Sequence, residues 1–308
     1  MIRTVHVPDV DDLAKARERV SAVLRPTPLD TTGNIWLKLE TAQPSGSFKV
    51  RGAIAAMQDL PSDVEVVTAS AGNHGLGVAT ATALLGTRAT VVVSGHASSV
   101  KVSKLQAFDS VELIQVGTTY DEAEQHALTL THGVFVSPYN DPAVIAGQGT
   151  IGYELDAQVD GPMTVVCAVG GGGLASGLGL WASQRPDVRI VGVESAESVA
   201  MSETIKAGHE VEITVGDTIA DGITGNLEPG SVTVGLIKKH VHSLVQVTEA
   251  ELHHAIRYLA SNHGVIAEGA GAVSVAALLA GKVDVVGQPV AVVSGRNIAL
   301  PVLAKILA

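Results

Sequence analysis

Apolar residues occur along the chain in two alternating patterns. Short runs rich in valine and isoleucine are each followed by a longer, alanine-rich stretch. The first pattern is typical of buried β-strands, and the second of helices that pack on them. The runs predict strands at 35–39, 64–69, 89–93, 111–116, 164–169, 189–194 and 289–293. The stretches between them predict helices near 11–24, 50–60, 74–86, 99–108, 119–132, 142–158, 174–185, 248–262 and 270–280.

This alternation predicts an α/β fold in which parallel sheets are covered by helices on both faces. Glycine-rich turns follow three of the strands, at 70–77 (SAGNHGLG), 170–177 (GGGGLASG) and 294–297 (SGRN). Ligands of open α/β sheets bind at the carboxyl ends of the strands. Together with the lysine segment PSGSFKVRGA at 44–53, the three turns therefore predict one cleft between two sheet units.

The composition excludes several classes of protein. The 308 residues carry a net charge of -11, which argues against a nucleic-acid or anionic-membrane partner. A single cysteine, Cys167, excludes an internal disulfide framework and fits a reducing cytoplasm, and the acidic N-terminal segment lacks an export signal. The uncharged stretch 161–184 is long enough to span a bilayer, but its four consecutive glycines favour a strand, a tight turn and a helix instead.

The run GGGGLASG has three alternative interpretations. A glycine run between a buried strand and a helix start points several backbone N–H groups in one direction, as a phosphate-binding loop does. Such runs also form tight turns that only pack against another backbone. A dinucleotide site is the third interpretation, because the run fits the pattern G-x-G-x-x-A and Glu194 ends the next predicted strand, where a ribose-binding acid belongs. The run alone leaves all three open.

Lys49 lies where a turn is followed at once by a predicted helix. A lysine on a helix is ordinarily solvated, but the positive end of a helix repels a cation. That environment, together with burial, lowers the pKa of an amine and leaves it neutral and nucleophilic, so that it can form a Schiff base with an aldehyde cofactor. The spacing Ser98-x-x-Lys101 also fits a serine–lysine hydrolase, but its companion motifs are missing and Ser98 fits a helix N-cap.

Residues 70–74 form a helix N-cap region that can also bind a ligand. Free N–H groups there suit a carboxylate, and Asn73 can donate a hydrogen bond to a ring oxygen. No metal site is predicted, because His253 and His254 face different directions on a helix and His240-x-His242 has no acid nearby.

Nine short stretches, in order along nearly the whole chain, resemble the serine/threonine dehydratase family. This family is the β-elimination branch of the fold-type II pyridoxal phosphate enzymes, which also contains serine racemase. The stretches are RPTPL at 25–29, LKLE at 37–40, SGSFKVRGA at 45–53, TASAGNHG at 68–75, DPAVIAGQGTIGYE at 141–154, GGGGL at 170–174, TIADGI at 218–223, AEGAGAV at 267–273 and SGRN at 294–297.

The resemblance implies two open, twisted parallel-sheet domains of the tryptophan synthase β-like architecture, with pyridoxal 5'-phosphate in the cleft between them. A large cofactor-binding domain would comprise 1–54 and 138–308, and a small mobile domain would comprise 55–137, with approximate boundaries. A cytoplasmic homodimer that acts on a small amino-acid substrate is expected by the same analogy.

The resemblance also assigns roles to individual residues. Lys49 would hold the cofactor as a Schiff base and would be the catalytic residue. The other cofactor-binding residues would be Phe48 beside Lys49, Asn73 at the ring hydroxyl oxygen, Ser294 at the pyridine nitrogen, and Gly170, Gly171, Gly172, Gly173 and Leu174 at the phosphate. The substrate-binding residues would be Ser70, Ala71, Gly72 and His74 around the carboxylate, together with Tyr139.

The implied activity is β-elimination of water from L-threonine, L-serine or a related β-hydroxy amino acid, which gives a 2-oxo acid and ammonia. Lys49 would remove the Cα proton, and the cofactor phosphate would protonate the leaving hydroxyl. Ser294 is neutral and stabilises a protonated pyridine less than an aspartate would, so the ring is a weak electron sink. A poorly delocalised carbanion expels a β-leaving group rather than persisting for transamination.

An amino-acid racemase of the same fold is the alternative activity, and a nicotinamide-dependent oxidoreductase using the glycine run and Glu194 is a more distant one. Racemase-like members carry a second serine in the asparagine loop, where this chain has Ala71, and an asparagine where it has Tyr139. Both departures disfavour racemisation.

Two further departures concern metals and substrate choice. Some relatives hold a divalent cation with a glutamate and an aspartate six residues later; Glu194 matches the first, but the second position is Ala200, so no magnesium or calcium site is predicted. Arg296 and Gly269 replace a glycine and a proline of the family, which leaves the preferred amino acid open.

Overall fold

The computed structural model describes residues 5–61 and 63–308. The strands among these residues are β1 (Leu29–Asp30), β2 (Trp36–Leu39), β3 (Glu65–Ala69), β4 (Ala89–Val93), β5 (Val111–Gln115), β6 (Gly133–Phe135), β7 (Met163–Ala168), β8 (Val188–Ser195), β9 (Ser243–Val247) and β10 (Gln288–Val293). They form a six-stranded sheet in the order β1-β2-β10-β7-β8-β9 and a four-stranded sheet in the order β5-β4-β3-β6. All paired neighbours run parallel except β1 and β2, so the antiparallel edge pair departs from the predicted all-parallel arrangement.

Helices fill the connections between the strands. The α-helices of the described residues are α1 (Val10–Val23), α2 (Lys49–Met57), α3 (Asn73–Leu85), α4 (Ser99–Gln106), α5 (Tyr120–Thr129), α6 (Pro142–Gln158), α7 (Gly173–Ala182), α8 (Ala200–Ala207), α9 (Val232–His240), α10 (Glu249–His263), α11 (Gly269–Leu279) and α12 (Leu300–Leu307). Short 3-10 helices lie at Glu40–Ala42 and Asp221–Ile223.

Alternate residues of the central strands face opposite cores. In β7, Val165 packs into one core and Val166 into the other. The smaller sheet follows the same rule, since Val91 and Val92 of β4 lie in different clusters. Apolar side chains therefore cover both faces of each sheet, as the continuous apolar strands predict.

All seven predicted strands and all nine predicted helices are present, with ends displaced by a few residues. The uncharged stretch 161–184 is β7, the glycine turn and α7, as predicted. The sequence did not predict β1, β6, β9, α8, α9 or α12. β1 and β6 have only two and three residues, too short for a periodic pattern.

The four strands of the smaller sheet all come from between residues 65 and 135, inside the segment 55–137. α2 packs against both α3 and α6, and so contacts helices from both sides of the predicted division. The domain boundaries themselves stay a prediction. Residues 1–4, part of the N-terminal segment judged to lack an export signal, lie outside the described residues. Among the residues that are described, none of the helices has the length and apolar character needed to cross a bilayer.

Candidate active site

Lys49 is the first residue of α2, and its side chain is half-buried. Its Nζ donates a hydrogen bond to the carbonyl oxygen of Pro138 at 2.7 Å and lies 5.2 Å from the centre of the Phe48 ring. Burial lowers the pKa of the Lys49 amine to about 8, although the charge of Glu268 acts in the opposite direction. A lysine of this pKa has a substantial neutral fraction near pH 8, as a nucleophile or a base requires.

The glycine run connects β7 to the start of α7. Gly172 has a φ of 87°, a left-handed conformation that glycine adopts without strain. Within the part of the chain that the structure describes, the backbone N–H groups of residues 170–174 donate no hydrogen bond. Five adjacent free donors at the positive end of a helix are an arrangement that can bind an anion such as a phosphate group.

Tyr139 packs directly against this loop. A Cβ added at Gly171 or Gly173 would collide with the Tyr139 residue, so only glycine permits this contact. The Tyr139 hydroxyl accepts a hydrogen bond from the backbone N–H of Glu228 at 2.6 Å. Because Pro138 accepts the bond from Lys49, residues 138 and 139 join the lysine to the glycine loop.

Asn73 is the first residue of α3, and two side chains fix the orientation of its amide. Asn297 Nδ2 donates to Asn73 Oδ1 at 2.7 Å, and Asn73 Nδ2 donates to a carboxylate oxygen of Glu268. Asn297 also donates to the carbonyl oxygen of Ser45, four residues before Lys49. The second N–H of the Asn73 amide remains available for a ligand oxygen.

The other residues of the asparagine loop offer backbone donors. Ser70 Oγ accepts a hydrogen bond from the N–H of Gly72 at 3.1 Å. Within the described residues, the N–H groups of Ala71, Asn73 and His74 have no acceptor, and α3 starts without a side-chain cap. Ser70 and Ala71 border a cavity of about 330 Å³ at the carboxyl end of the smaller sheet.

The imidazole of His74 is buried beside this loop. Its Nε2 donates to the carbonyl oxygen of Val136 at 3.2 Å, and its Nδ1 has no hydrogen-bond partner within the described part of the chain. Burial lowers the pKa of His74 to about 3, and the nearby Lys49 charge adds to the effect. The ring is therefore neutral, and His74 can offer a substrate carboxylate its backbone N–H but no side-chain charge.

Ser294 follows the end of β10 and is buried. Its Oγ donates to the carbonyl oxygen of Ala270 at 3.3 Å. Its own carbonyl oxygen accepts a hydrogen bond from the N–H of Phe48 at 3.0 Å, which attaches the end of β10 to the residue before Lys49. The predicted cofactor residues from four separate segments thus converge on one cleft.

Glu268 belongs to the site but is not among the predicted residues. It is 6% exposed, and a Cβ at Gly295 would collide with its carboxylate. Burial raises the pKa of Glu268 to about 7, against the hydrogen bond from Asn73. One signal in the sequence marks it: it is the lone charged residue in the apolar run AEGAGAVSVAALLA at 267–280.

Two alternative interpretations of the sequence, the dinucleotide site and the serine–lysine hydrolase, lose their key residues to other contacts. Glu194 accepts hydrogen bonds from the N–H groups of Met201 and Ser202 at the start of α8, so its carboxylate is not free to bind a ribose. Ser98 caps α4 as predicted, and Lys101 pairs with Asp221 at 2.8 Å rather than with Ser98. Among residues 5–61 and 63–308, no group of three or more acidic, histidine or cysteine side chains is arranged to hold a metal ion.

The structure is an α/β fold in which a half-buried lysine of lowered pKa and a glycine loop with free N–H groups lie at one cleft. Residues 20–295 match the model of the pyridoxal-phosphate dependent enzyme family, and the chain belongs to this family. It is 40% identical to the L-threonine ammonia-lyase of Thermotoga maritima over 97% of this chain and 78% of that relative.

Two solved structures have the same fold. The processed form of threonine deaminase isoform 2 from Solanum lycopersicum is 31% identical, with a TM-score of 0.87 over 99% of this chain and 95% of that one. Maize serine racemase is 27% identical, with a TM-score of 0.89 over 97% of both chains. The predicted family, its fold and its pyridoxal phosphate dependence are confirmed. Two of these three relatives are named as a threonine ammonia-lyase and a threonine deaminase, in agreement with the predicted class of enzyme.

Proposed function

We propose that this protein is a pyridoxal phosphate-dependent ammonia-lyase. It removes water from L-threonine, L-serine or a related β-hydroxy amino acid and releases a 2-oxo acid and ammonia. The observation that carries this proposal is the placement of the Lys49 amine, which has a pKa of about 8, in one cleft with the free N–H groups of the glycine loop. The relatives named threonine ammonia-lyase and threonine deaminase support the choice of reaction.

The residues present fit the cofactor. Pyridoxal phosphate, when bound, supplies a conjugated ring that withdraws electrons from the Cα of the substrate. Lys49 would hold it covalently, and the N–H groups of residues 170–174 would bind its phosphate. Asn73 would donate its second amide N–H to the ring hydroxyl oxygen, and Ser294 would meet the ring nitrogen. Phe48 and Tyr139 would enclose the site.

Lys49 also moves the proton in this proposal. Its amine takes the proton from the Cα of the substrate, for which it must be neutral. The pKa of about 8 keeps a useful fraction of the amine in that form at mildly alkaline pH. The Pro138 carbonyl accepts from the Nζ and so holds the amine in the cleft rather than in solvent.

The asparagine loop binds the substrate carboxylate. The N–H groups of Ala71, Asn73 and His74 form an anion site at the start of α3, with the helix dipole behind them. The neutral His74 ring leaves the charge of the site to these backbone donors. The cavity bordered by Ser70 and Ala71 gives the substrate side chain its space.

A racemase activity is disfavoured by Ala71. Racemisation needs a second acid on the face of Cα opposite Lys49, and the methyl group of Ala71 has no proton to give. Release of ammonia should therefore exceed production of the D-amino acid.

The test is an ammonia-release assay with L-threonine, L-serine and their D-isomers. The wild type should release ammonia from the L-isomers and gain a visible absorption band on addition of pyridoxal phosphate. Lys49→Ala should lose the band and at least about a thousandfold in turnover, because nucleophile and base are the same group. Lys104→Ala, which changes an exposed lysine on α4, is the control and should match the wild type. A wild-type protein without the band or the activity would contradict the proposal.

We further infer a homodimer in the cytoplasm. The C-terminal helix α12 supports an interface between copies, because Leu300 and Leu307 are 77% and 45% exposed on it. Sedimentation of the purified protein measures the assembly, and a monomer at micromolar concentration would contradict it. The buried, unpaired thiol of Cys167 fits a reducing compartment.

A further inference from the structure

A cluster of buried charges lies behind the active site. Residues from four of the nine family-like stretches meet in it. Its members are Thr27 of RPTPL, Lys38 and Glu40 of LKLE, Arg51 of SGSFKVRGA, and Glu154 of DPAVIAGQGTIGYE. The side chains of Lys38, Glu40 and Arg51 are fully shielded from solvent, and that of Glu154 is 13% exposed.

Arg51 is the centre of the cluster. Its Nε and Nη2 donate to the two carboxylate oxygens of Glu40 at 2.7 and 2.8 Å, as a fork. Its Nη1 donates to Glu154 at 2.6 Å. Lys38 donates to the other oxygen of Glu154 at 2.6 Å and to the carbonyl oxygen of Thr27 at 2.9 Å.

Two cations and two anions make the cluster neutral. Burial by itself would raise the pKa of Glu40, but the facing Arg51 charge outweighs it and holds that pKa below its usual range. Burial would likewise lower the pKa of Arg51, and the charges of Glu40 and Glu154 raise it instead. Glu40 and Arg51 therefore remain ionised at neutral pH.

Such a cluster is a poor source of stability. The cost of removing charges from water often equals the attraction between them, and well-packed apolar residues frequently serve as well. What an apolar replacement cannot supply is direction, since each hydrogen bond of a guanidinium fixes an angle as well as a distance. A role in positioning accounts for the burial of these charges.

The position of Arg51 on α2 indicates what is positioned. Arg51 is two residues after Lys49, so the two side chains leave the helix on different sides. Lys49 faces the cleft. Arg51 faces Glu40, which follows β2, and Glu154 on α6. Gly52 and Gly147 bring α2 and α6 into close contact, because a Cβ at either would collide with the other helix.

We propose that Arg51 is a positioning residue, which ties the first turn of α2 to Glu40 through its two-pronged hydrogen bond and so fixes the Lys49 amine in the cleft. The inference rests on the proposed function, in which Lys49 holds the cofactor and moves the Cα proton. A displacement of about 1 Å in a catalytic group can lower a rate a hundredfold, which gives the tether a measurable effect.

The test uses two double variants that each remove one cation and one anion. Arg51→Met/Glu40→Gln removes the tether and leaves Lys38 paired with Glu154. The matched control Lys38→Met/Glu154→Gln leaves the fork between Arg51 and Glu40, and an amide oxygen at 154 can still accept from Arg51. Both variants bury the same number of charges, so a general loss of stability affects both.

Two quantities are measured. The first is turnover: Arg51→Met/Glu40→Gln should lose about tenfold to a hundredfold in kcat with a small change in KM, while the control stays within about twofold of the wild type. The second is the labelling of Lys49 by an amine-reactive reagent in the cofactor-free protein, followed against pH by peptide mass spectrometry. Half-maximal labelling should occur near pH 8 in the wild type and the control, and should move toward 10.5 in the variant without the tether.

A folded Arg51→Met/Glu40→Gln protein with wild-type kcat and a wild-type labelling curve would overturn the proposal. If this variant does not fold, Glu40→Gln alone takes its place, because Arg51 then keeps Glu154 but loses a charged partner. It should shift both quantities in the same direction by a smaller amount, and no shift in either would overturn the proposal. A wild type that takes up no pyridoxal phosphate would instead refute the proposed function, and the labelling curve would still test the placement of Lys49.

Discussion

Two titratable side chains at the cleft, Lys49 and Glu268, have pKa values that burial moves toward neutrality. The pKa of the lysine falls to about 8 and that of the glutamate rises to about 7. Each is therefore able to exchange a proton within the physiological range. Lys49 donates a hydrogen bond to Pro138, and Glu268 accepts one from Asn73. A pKa that differs between the folded and unfolded states makes the free energy of unfolding depend on pH, so the shifts should be measurable in the cofactor-free protein.

Glu268 allows this to be measured. The folded protein holds a proton on Glu268 up to a higher pH than the unfolded chain, whose carboxyl titrates near 4.5. The free energy of unfolding should therefore fall as the pH rises from about 4.5 to about 7, by at most about 3 kcal/mol. Glu268→Gln, which has no proton to lose, should lack this decrease.

The measurement is urea unfolding of the cofactor-free protein at pH 5 and pH 8. Glu112→Gln, a change at an exposed position on β5, is the control and should follow the wild type. Parallel pH profiles for wild type and Glu268→Gln would show that the carboxyl of Glu268 is not displaced in the folded state.

At the scale of elements, some helices begin with a side-chain cap on their free N–H groups and others begin without one. The starts of α1, α5 and α10 carry a capping box from Asp9, Thr119 and Thr248. The helices that begin at the cleft, α2, α3, α7 and α11, have no side-chain cap. Unsatisfied N–H groups at a helix start are a cost to the isolated fold; in the proposed function, those of α7 bind the phosphate and those of α3 the carboxylate.

The start of α8 differs from both groups, because the side chain that caps it belongs to strand β8. Glu194, at the end of β8, accepts from the N–H groups of Met201 and Ser202, and burial raises the pKa of its carboxyl. Glu194→Ala should lower the free energy of unfolding by about 1–3 kcal/mol, since these buried donors lose their acceptor. Lys206→Ala, at an exposed position of α8, should change it by no more than about 0.5 kcal/mol. Equal effects of the two variants would contradict the role of Glu194 as a cap.

At the scale of the whole molecule, an ion pair between α4 and the 3-10 helix Asp221–Ile223 bears on closure of the cleft. Lys101 on α4 donates to Asp221 in the 3-10 helix Asp221–Ile223 at 2.8 Å, and so joins the two sides of the predicted domain division. Both side chains are partly exposed, which limits the energy of the pair to at most about 1 kcal/mol. We expect the pair to favour the closed arrangement of the two predicted domains over a bound substrate.

Lys101→Met and Asp221→Asn should each raise KM by about two- to fivefold with little change in kcat, and the double variant should add little more. The exchanged pair Lys101→Asp/Asp221→Lys should restore much of the affinity. Steady-state kinetics of the four variants measures KM and kcat, and so distinguishes a role of the pair in closing the cleft from direct binding of the substrate by Lys101. A KM that the exchange fails to restore would indicate that Lys101 binds the substrate itself rather than closing the cleft.

The sequence predicts those parts of the molecule that depend on neighbours in the chain. Lys49, the glycine run and Asn73 are recognisable because each lies in a short stretch with its own turn and helix start. Glu268 stands out as the lone charge of an apolar run, but its role does not, because that role depends on a contact with Asn73, 195 positions away in the sequence. Arg51 and Glu154 are 103 positions apart, so the buried cluster likewise has no local pattern. The capping role of Glu194 is hidden for another reason: α8 is a short, partly polar helix that the hydrophobic pattern does not predict.

The central claim is that the amine of Lys49 captures the carbonyl carbon of pyridoxal phosphate. The most direct test is to load the protein with the cofactor, reduce the C=N bond with borohydride and locate the added mass by peptide mass spectrometry. The account predicts the pyridoxyl phosphate mass on Lys49, in the segment PSGSFKVRGA. The same mass on another lysine, or on none, would contradict it.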